Sequence, residues 1–198
     1  MSKTEKQPSA RQRLLQTAER LFYAEGIRAV GIDRIIAEAE VAKTTLYSHF
    51  PSKDALILAV LQKREVDVDN MFEKAIERSV QKGGTKLEGF FSGLKRWFQQ
   101  PGFRGCSFIN AAVELADSQH DASQFASAHK QRFHGRIEEL IAEDYSPAVA
   151  KATSAAISLL VEGAIISAVL EASAKPADTA KATAMQLIDS FPGMNSSH

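Results

Sequence analysis

The chain reads as an all-α protein: an N-terminal three-helix helix-turn-helix bundle, joined by a long helix to a larger C-terminal helical domain. Three observations carry that reading. Apolar residues recur at spacings of three and four through nearly the whole sequence. No run alternates apolar and polar residues for long enough to make a strand. Glycine, proline and serine punctuate the chain where helices would end, as at Gly26, Pro51, Gly83-Gly84, Pro101-Gly102 and Ser146-Pro147. With 198 residues, 44% of them hydrophobic, there is material for a small domain and a larger one.

The first helix runs from Arg11 to Glu25. Leu14, Ala18, Leu21 and Phe22 form one apolar stripe, and Gly26 stops it. A second helix, from Asp33 to Ala39, buries Ile32, Ile35 and Ala39. Asp33 is the nearest residue able to cap it, because Gly31 has no side chain to do so. Its Arg34 either reaches a phosphate or is simply solvated. After a tight turn the third helix begins near Ala42, with Leu46 and Phe50 on its inner side. Pro51 forbids continuation, and Ser52 caps a new helix.

That fourth helix extends from Lys53 to Val80, with Ile57, Leu61, Val68, Phe72, Ile76 and Val80 as its stripe. At 1.5 Å per residue it spans about 40 Å. Beyond the break at 81–85, Leu87, Phe90, Phe91, Leu94 and Phe98 line a fifth helix, with Trp97 beside them. A short apolar helix follows from Phe108 to Ala116. The next starts at Asp121 or Ser123, and Ser146-Pro147 opens the one after it as cap and first helical residue. From Pro147 to about Ser173 that helix is apolar nearly all round, which in a soluble protein means burial on two sides. The last helix, about Ala177 to Phe191, carries Ala180, Ala184, Leu187, Ile188 and Phe191. This pair reads either as a dimer-forming hairpin, completed by a second copy in a two-plus-two bundle, or as an intramolecular core.

Lys and Arg number 24, as do Asp and Glu, so the net charge is +0. A generic basic coat is excluded, and any nucleic-acid binding must come from a local patch. The residues up to Val60 carry a slight basic excess, including a polar N-terminal arm with Lys3, Lys6 and Arg11. No N-terminal apolar segment reads as a signal peptide. The apolar run from Ala155 to Leu170 is interrupted by Glu162 and Gly163 and falls short of the ~20 residues a membrane span needs. The expectation is a soluble cytoplasmic protein with no membrane partner.

The usual catalytic anchors do not occur. There is no phosphate-binding loop, no dinucleotide fingerprint and no nucleophile elbow. His129 and His134 are five apart, so a helix points them to different faces, and no metal site is expected. One cysteine, Cys106, precludes a disulfide framework. It is either a packed side chain or a thiol activated at a helix N-terminus. No cofactor is implied and no enzyme is expected. Polar residues interrupt two apolar stripes: Asn110 and Glu114 on one helix, and His129 between Phe125 and Phe133 on another. They belong either to a satisfied core network or to a small-molecule pocket. That pocket would be lined by Trp97, Phe98, Phe108, Phe125 and Phe133 and oriented by Asn110, Glu114 and His129.

The most informative stretch is V-A-K-T-T-L-Y-S-H-F-P-S-K, Val41 to Lys53. With Leu46 and Phe50 inward, Thr44, Thr45, Tyr47, Ser48 and His49 form an outer face with hydrogen-bonding side chains and no carboxylate. Such a face suits phosphates and base edges. The longer run from Gly26 to Leu56, through Gly26, Ile35, Ala39, Val41, Thr45, Leu46, Tyr47, His49, Phe50 and Lys53, resembles the DNA-binding domain of TetR-family transcriptional regulators. It departs from that pattern at Glu40, where the family usually has glycine, and at Gly31, where a Ser or Thr often caps. A residue with a side chain held at positive φ costs about 1 kcal/mol.

The resemblance implies a homodimer with an N-terminal DNA-binding domain and a C-terminal domain for ligand binding and dimerisation. The boundary expected here is 1–52 and 53–198. It implies contact with a double-stranded DNA operator through Thr44, Thr45, Tyr47, Ser48 and His49, with Lys43 and Lys53 on phosphates. It further implies a small-molecule effector whose binding relieves repression; the apolar pocket suggests a hydrophobic or aromatic one. Two alternatives stand beside this: an activator of the same fold, and a helical small-molecule-binding protein or enzyme using the same cavity.

Overall fold

The computed structural model describes residues 8–191. The N-terminal arm as far as residue 7 and the tail from Pro192 fall outside them. Every regular element among the described residues is a helix: α1 Ala10–Glu25, α2 Ile32–Ala39, α3 Lys43–His49, α4 Lys53–Val80, α5 Lys86–Phe98, α6 Ser107–Leu115, α7 Asp121–Asp144, α8 Pro147–Leu170 and α9 Lys175–Asp189.

By packing, the chain forms two compact units. One runs up to Arg64 and adds Ser107–Ser127; the other comprises Glu65–Cys106 and the residues from Ala128 onward. These limits differ from the boundary at residue 52/53 read from the sequence. The physical reason is that the first turns of α4 and all of α6 pack with the helix-turn-helix rather than apart from it.

In the first unit Ser9 caps α1 in a reciprocal capping box with Gln12. Leu14, Leu15, Ala18, Leu21 and Phe22 of α1 are buried, as are Ile35 and Ala39 of α2 and Leu46 of α3. The expected capping of α2 by Asp33 does not occur. The helix begins one residue earlier, behind Gly31, with no side-chain cap. Asp33 lies in its first turn, where a carboxylate suits the helix dipole, and pairs with Lys43 at 3.0 Å. Glu40 closes α2 in the left-handed conformation, φ 53° and ψ 51°, the conformation a family glycine would take without strain. Arg13 braces this turn: its guanidinium donates to the carbonyls of Ala39 at 3.0 Å and Glu40 at 3.3 Å. Ser52 caps α4 as expected, accepting from the Ala55 amide at 3.0 Å.

The second unit is built on aromatic packing. Phe72 of α4 and Phe90 of α5 stack at 4.8 Å between ring centres, and Phe133 of α7 meets both at under 6 Å. Two glycines let α4 and α5 approach: a Cβ on Gly89 would lie 2.6 Å from the Ile76 Cα. Asp144 accepts the amides of Lys86 and Leu87, at 3.1 and 2.7 Å, and so holds the N-terminus of α5. α8 and α9 pack through Ile157, Val161, Ala164 and Ala168 against Ala177, Ala180, Ala184 and Ile188.

Three sequence expectations shift here. Val80 is exposed rather than part of the α4 stripe, because the helix ends there. α8 ends at Leu170, where Ala172 turns left-handed at φ 47°, and α9 starts two residues early because Pro176 is favoured in a first helical turn. α8 also proves, at 24 residues, long and apolar enough to cross a membrane by length and composition, the one described helix that does. Yet Glu162 sits within it, accepting from His134 at 3.0 Å and paired with Lys130. A charge tied to its own unit at mid-helix is the pattern of a core helix, not of a lipid-facing one.

The strain at Glu40 has a measurable consequence. Glu40→Gly is expected to raise unfolding free energy by about 1 kcal/mol, because it removes the Cβ clash while keeping the carbonyl that Arg13 holds. A urea denaturation series reads it; an unchanged or lowered midpoint contradicts the assignment of strain.

Candidate nucleic-acid interface and effector cleft

α3 is short and carries a buried side and an exposed one because Leu46 and Phe50 alternate with polar residues at helical spacing. Leu46 and Phe50 are 0% and 3% exposed, while Tyr47 is 44% exposed. Thr44, Ser48 and His49 are also exposed, and Thr45 is half-buried. The Ser48 hydroxyl donates to the Thr45 carbonyl at 2.8 Å. The outer face therefore presents hydroxyls, a phenol and an imidazole, with no acid on the helix.

The cations expected beside it are more committed than the sequence suggests. Lys43 is exposed but pairs with Asp33, which raises its pKa. Lys53 turns inward: its ammonium donates to the Ile27 carbonyl at 2.6 Å and lies 5.9 Å from the Phe22 ring. Burial lowers its pKa. Arg34, open to either reading from sequence, is part of an ion network. It binds Glu25 and, at 2.9 Å, Glu38, which Arg20 also holds.

The eight residues expected to line one effector pocket do not gather in one cavity among the described residues. Asn110 and Glu114 line a cavity of about 210 Å3 in the first unit. His129 and Phe133 line a cleft of about 560 Å3 in the second. Phe108 and Phe125 face one another in the first unit, with ring centres 6.5 Å apart. Trp97 and Phe98 are buried in the second, packed on each other and on Phe103. Cys106 is 5% exposed, which fits a packed side chain better than an accessible thiolate.

The cleft of the second unit has an aromatic back wall of Phe72, Phe90 and Phe133 and a charged rim. On the rim, His129 and Arg132 converge on one oxygen of Glu65, at 2.9 and 2.5 Å. Arg136 pairs with Glu73 at 3.1 Å and Glu139 at 3.2 Å. Asp69 completes it; desolvation, with Glu65 and Glu73 nearby, pushes its carboxyl up despite His129 and Arg132. Sequence reasoning missed Glu65, Asp69, Glu73, Arg132 and Arg136. The signal was present, since the three acids recur every four residues along α4, but such a row reads as a solvated face until α7 is placed against it.

Burial lowers the pKa of His129 although Glu65 pulls it upward. Burial raises that of Glu65, but the hydrogen bonds from Arg132 and His129 outweigh it and leave the carboxyl below its usual range. Both groups thus hold protons more weakly folded than unfolded. Their stabilisation is complete above about pH 6.5, the ordinary imidazole value, and is lost as pH falls through the folded values. His129→Gln, which stays neutral and can still donate to Glu65, is expected to flatten the loss of thermal stability between about pH 6.5 and 5. Melting followed by circular dichroism at a series of pH values checks this; an unchanged slope contradicts it.

Comparison with known proteins agrees with this architecture. A family model described as bacterial regulatory proteins, tetR family, matches residues 14–60. A second, for the C-terminal domain of LmrA/YxaF-like transcriptional regulators, matches residues 84–183. The solved structure of a TetR-family transcriptional regulator from Streptomyces coelicolor superposes with a TM-score of 0.78. It is 33% identical and aligns over 91% of this chain and 95% of its own. The HTH-type transcriptional repressor DhaR of Mycobacterium sp. strain GP1 is 28% identical over 106 residues, 54% of this chain and 52% of its own length. The HTH-type transcriptional activator FasR of Mycolicibacterium smegmatis is 46% identical over 61 residues, 31% of this chain and 26% of its own. The chain thus spans about half the length of a curated relative such as DhaR, and less of FasR. With a recognisable helix-turn-helix at one end, a matching C-terminal domain at the other and a structural counterpart over nearly its whole length, the chain belongs to the TetR family of transcriptional regulators.

Proposed function

We propose that this protein is a ligand-responsive DNA-binding regulator, a repressor released from its operator by a small hydrophobic or aromatic effector. The observation that carries the reading is the exposed, acid-free face of α3. Thr44, Thr45, Tyr47, Ser48 and His49 would meet base edges and phosphates in the major groove, with Lys43 and Lys53 at its margins. Relatives of both signs support regulation as such: DhaR is named a repressor and NemR of Escherichia coli likewise, while FasR is named an activator. Activation is therefore the second reading. Reporter expression in a strain lacking the gene separates them, rising for a repressor and falling for an activator.

DNA contact belongs to the helices before residue 53, and effector binding and dimerisation to residues 53–198. The effector enters the cleft walled by Phe72, Phe90 and Phe133 and bordered by His129. Aromatic walls favour flat apolar molecules. It acts by preferring one conformation of the dimer, and its differential affinity sets how much DNA affinity is lost. A soluble cytoplasmic location fits this role.

A homodimer supplies two recognition helices to successive major grooves, about 34–36 Å apart. The surface for it lies on α8 and α9. Leu159, Ile166 and Leu170 are 73%, 56% and 79% exposed. Between them and α9 lies a shallow apolar depression with Gly163, Ala164 and Thr183 on its walls, small residues that permit close helix approach. Exposed apolar side chains in such a row mark an interface.

Two outcomes follow. Tyr47→Ala is expected to weaken binding to the DNA flanking the protein's own gene by about tenfold or more, since one good base contact is worth ~1–3 kcal/mol. Sedimentation should be unaltered. A gel shift with unchanged affinity removes α3 from the interface. Ile166→Glu is expected to shift the protein toward monomer in sedimentation equilibrium, because burying an unpaired carboxylate costs several kcal/mol. DNA affinity should fall with it. A variant that remains dimeric places the interface elsewhere.

A further inference from the structure

The cavity in the first unit has no part in the reading above. It lies between α1, α4 and α6, encloses about 210 Å3, and its lining residues all belong to that unit. Its floor is apolar: Phe22, Ile27, Ile57, Val60 and Leu61. A core cavity of about 150 Å3 holds one benzene ring, so this one has room for two fused rings.

Its charged rim is mostly spent. Glu19 is paired with Lys63 at 2.8 Å and Arg64 at 3.6 Å. Arg64 also lies 5.3 Å from the Tyr23 ring, and Arg20 pairs with Glu38 at 2.5 Å. Glu114 is different. Its carboxylate is held by a backbone amide, that of Arg28 at 3.2 Å, rather than by a basic side chain. Gly26 lets it come this close: a Cβ there would lie 2.8 Å from the Glu114 Oε2. The site thus offers an apolar floor and one half-buried carboxylate whose hydrogen bond among the described residues comes from a backbone amide; the Lys53 charge acts on it through space but its ammonium is committed to the Ile27 carbonyl.

We propose that this cavity is a second small-molecule site, for a lipophilic amine whose apolar body rests on Phe22, Ile57 and Leu61 and whose ammonium bonds Glu114. An anion would face both Glu19 and Glu114, while the two arginines are already committed to carboxylates. A neutral hydrocarbon would further desolvate Glu114 without replacing its hydration. An ammonium does replace it, with a charge-assisted hydrogen bond. The site does not depend on the effector cleft in the second unit, and either can fail without the other.

Titration of the full chain with 2-(aminomethyl)naphthalene, protonated at pH 7, tests it. The isosteric 2-(hydroxymethyl)naphthalene is the uncharged comparator. The wild type is expected to bind the amine about tenfold tighter than the alcohol, the increment of one charge-assisted hydrogen bond. Glu114→Gln, which keeps the Arg28 contact, should abolish that difference. Ala111→Phe, which fills the cavity, should likewise abolish the difference, leaving only whatever binding both probes share in the effector cleft. Phe133→Ala, in the other cleft, should leave the preference for the amine unchanged, whatever it does to naphthalene binding in the effector cleft. The proposal is overturned if the wild type does not prefer the amine, or if Glu114→Gln retains the preference. Loss of the amine preference in Phe133→Ala but not in Ala111→Phe would overturn it as well. Helicity by circular dichroism accompanies each variant; if Ala111→Phe does not fold, the Glu114→Gln comparison decides alone.

Discussion

The turn between α2 and α3 is the constraint on which the rest depends. A helix of seven residues such as α3 cannot orient itself; it has too few internal hydrogen bonds to be stable alone. Its direction is inherited from Glu40, held left-handed, and from the Arg13 guanidinium that ties the Ala39 and Glu40 carbonyls back to α1. An arginine at this point does two jobs. It satisfies carbonyls orphaned at the end of α2 and it fixes the angle at which α3 leaves. With that angle set, Leu46 and Phe50 reach the core and the polar side of α3 has only one direction left to face.

Much of this was legible in the primary structure, and the legible part is periodic. The α4 span came out at its expected ends because a serine cap, a long apolar stripe and a pair of glycines all agree. The α3 face was readable because two inward residues at spacing four define everything else on so short a helix. Strain at Glu40 was also foreseeable, since the position requires a conformation and the residue there is not glycine. What escaped were contacts between residues far apart in sequence. Arg28 reaches Glu114 across 86 positions, and His129 reaches Glu65 across 64. No period or spacing encodes such pairs. A polar residue inside an apolar stripe announces that a partner exists without naming it, and so Asn110, Glu114 and His129 looked like members of one pocket when they serve two units.

The charged residues near α3 raise a further point about how a protein of zero net charge can engage a polyanion. Most of the basic side chains there are already bonded within the chain: Lys43 to Asp33, Arg34 to Glu25 and Glu38, Arg20 to Glu38, Lys53 to a backbone carbonyl. Among the described residues near α3, few phosphate contacts remain without breaking one of these pairs. Surface pairs of this kind are weak, at most about 1 kcal/mol, so some can exchange partners when a phosphate arrives. The Lys53 ammonium is less able to, being partly buried on the Ile27 carbonyl. Counterion release from those contacts alone is modest. In the proposed complex the hydroxyl and aromatic groups of α3 must then supply a large share of the binding, and a second copy must double it. In the proposed dimer, pairing through α8 and α9 would be a condition for useful affinity rather than an accessory to it, and the cost of leaving Leu159, Ile166 and Leu170 uncovered on a lone chain works in the same direction.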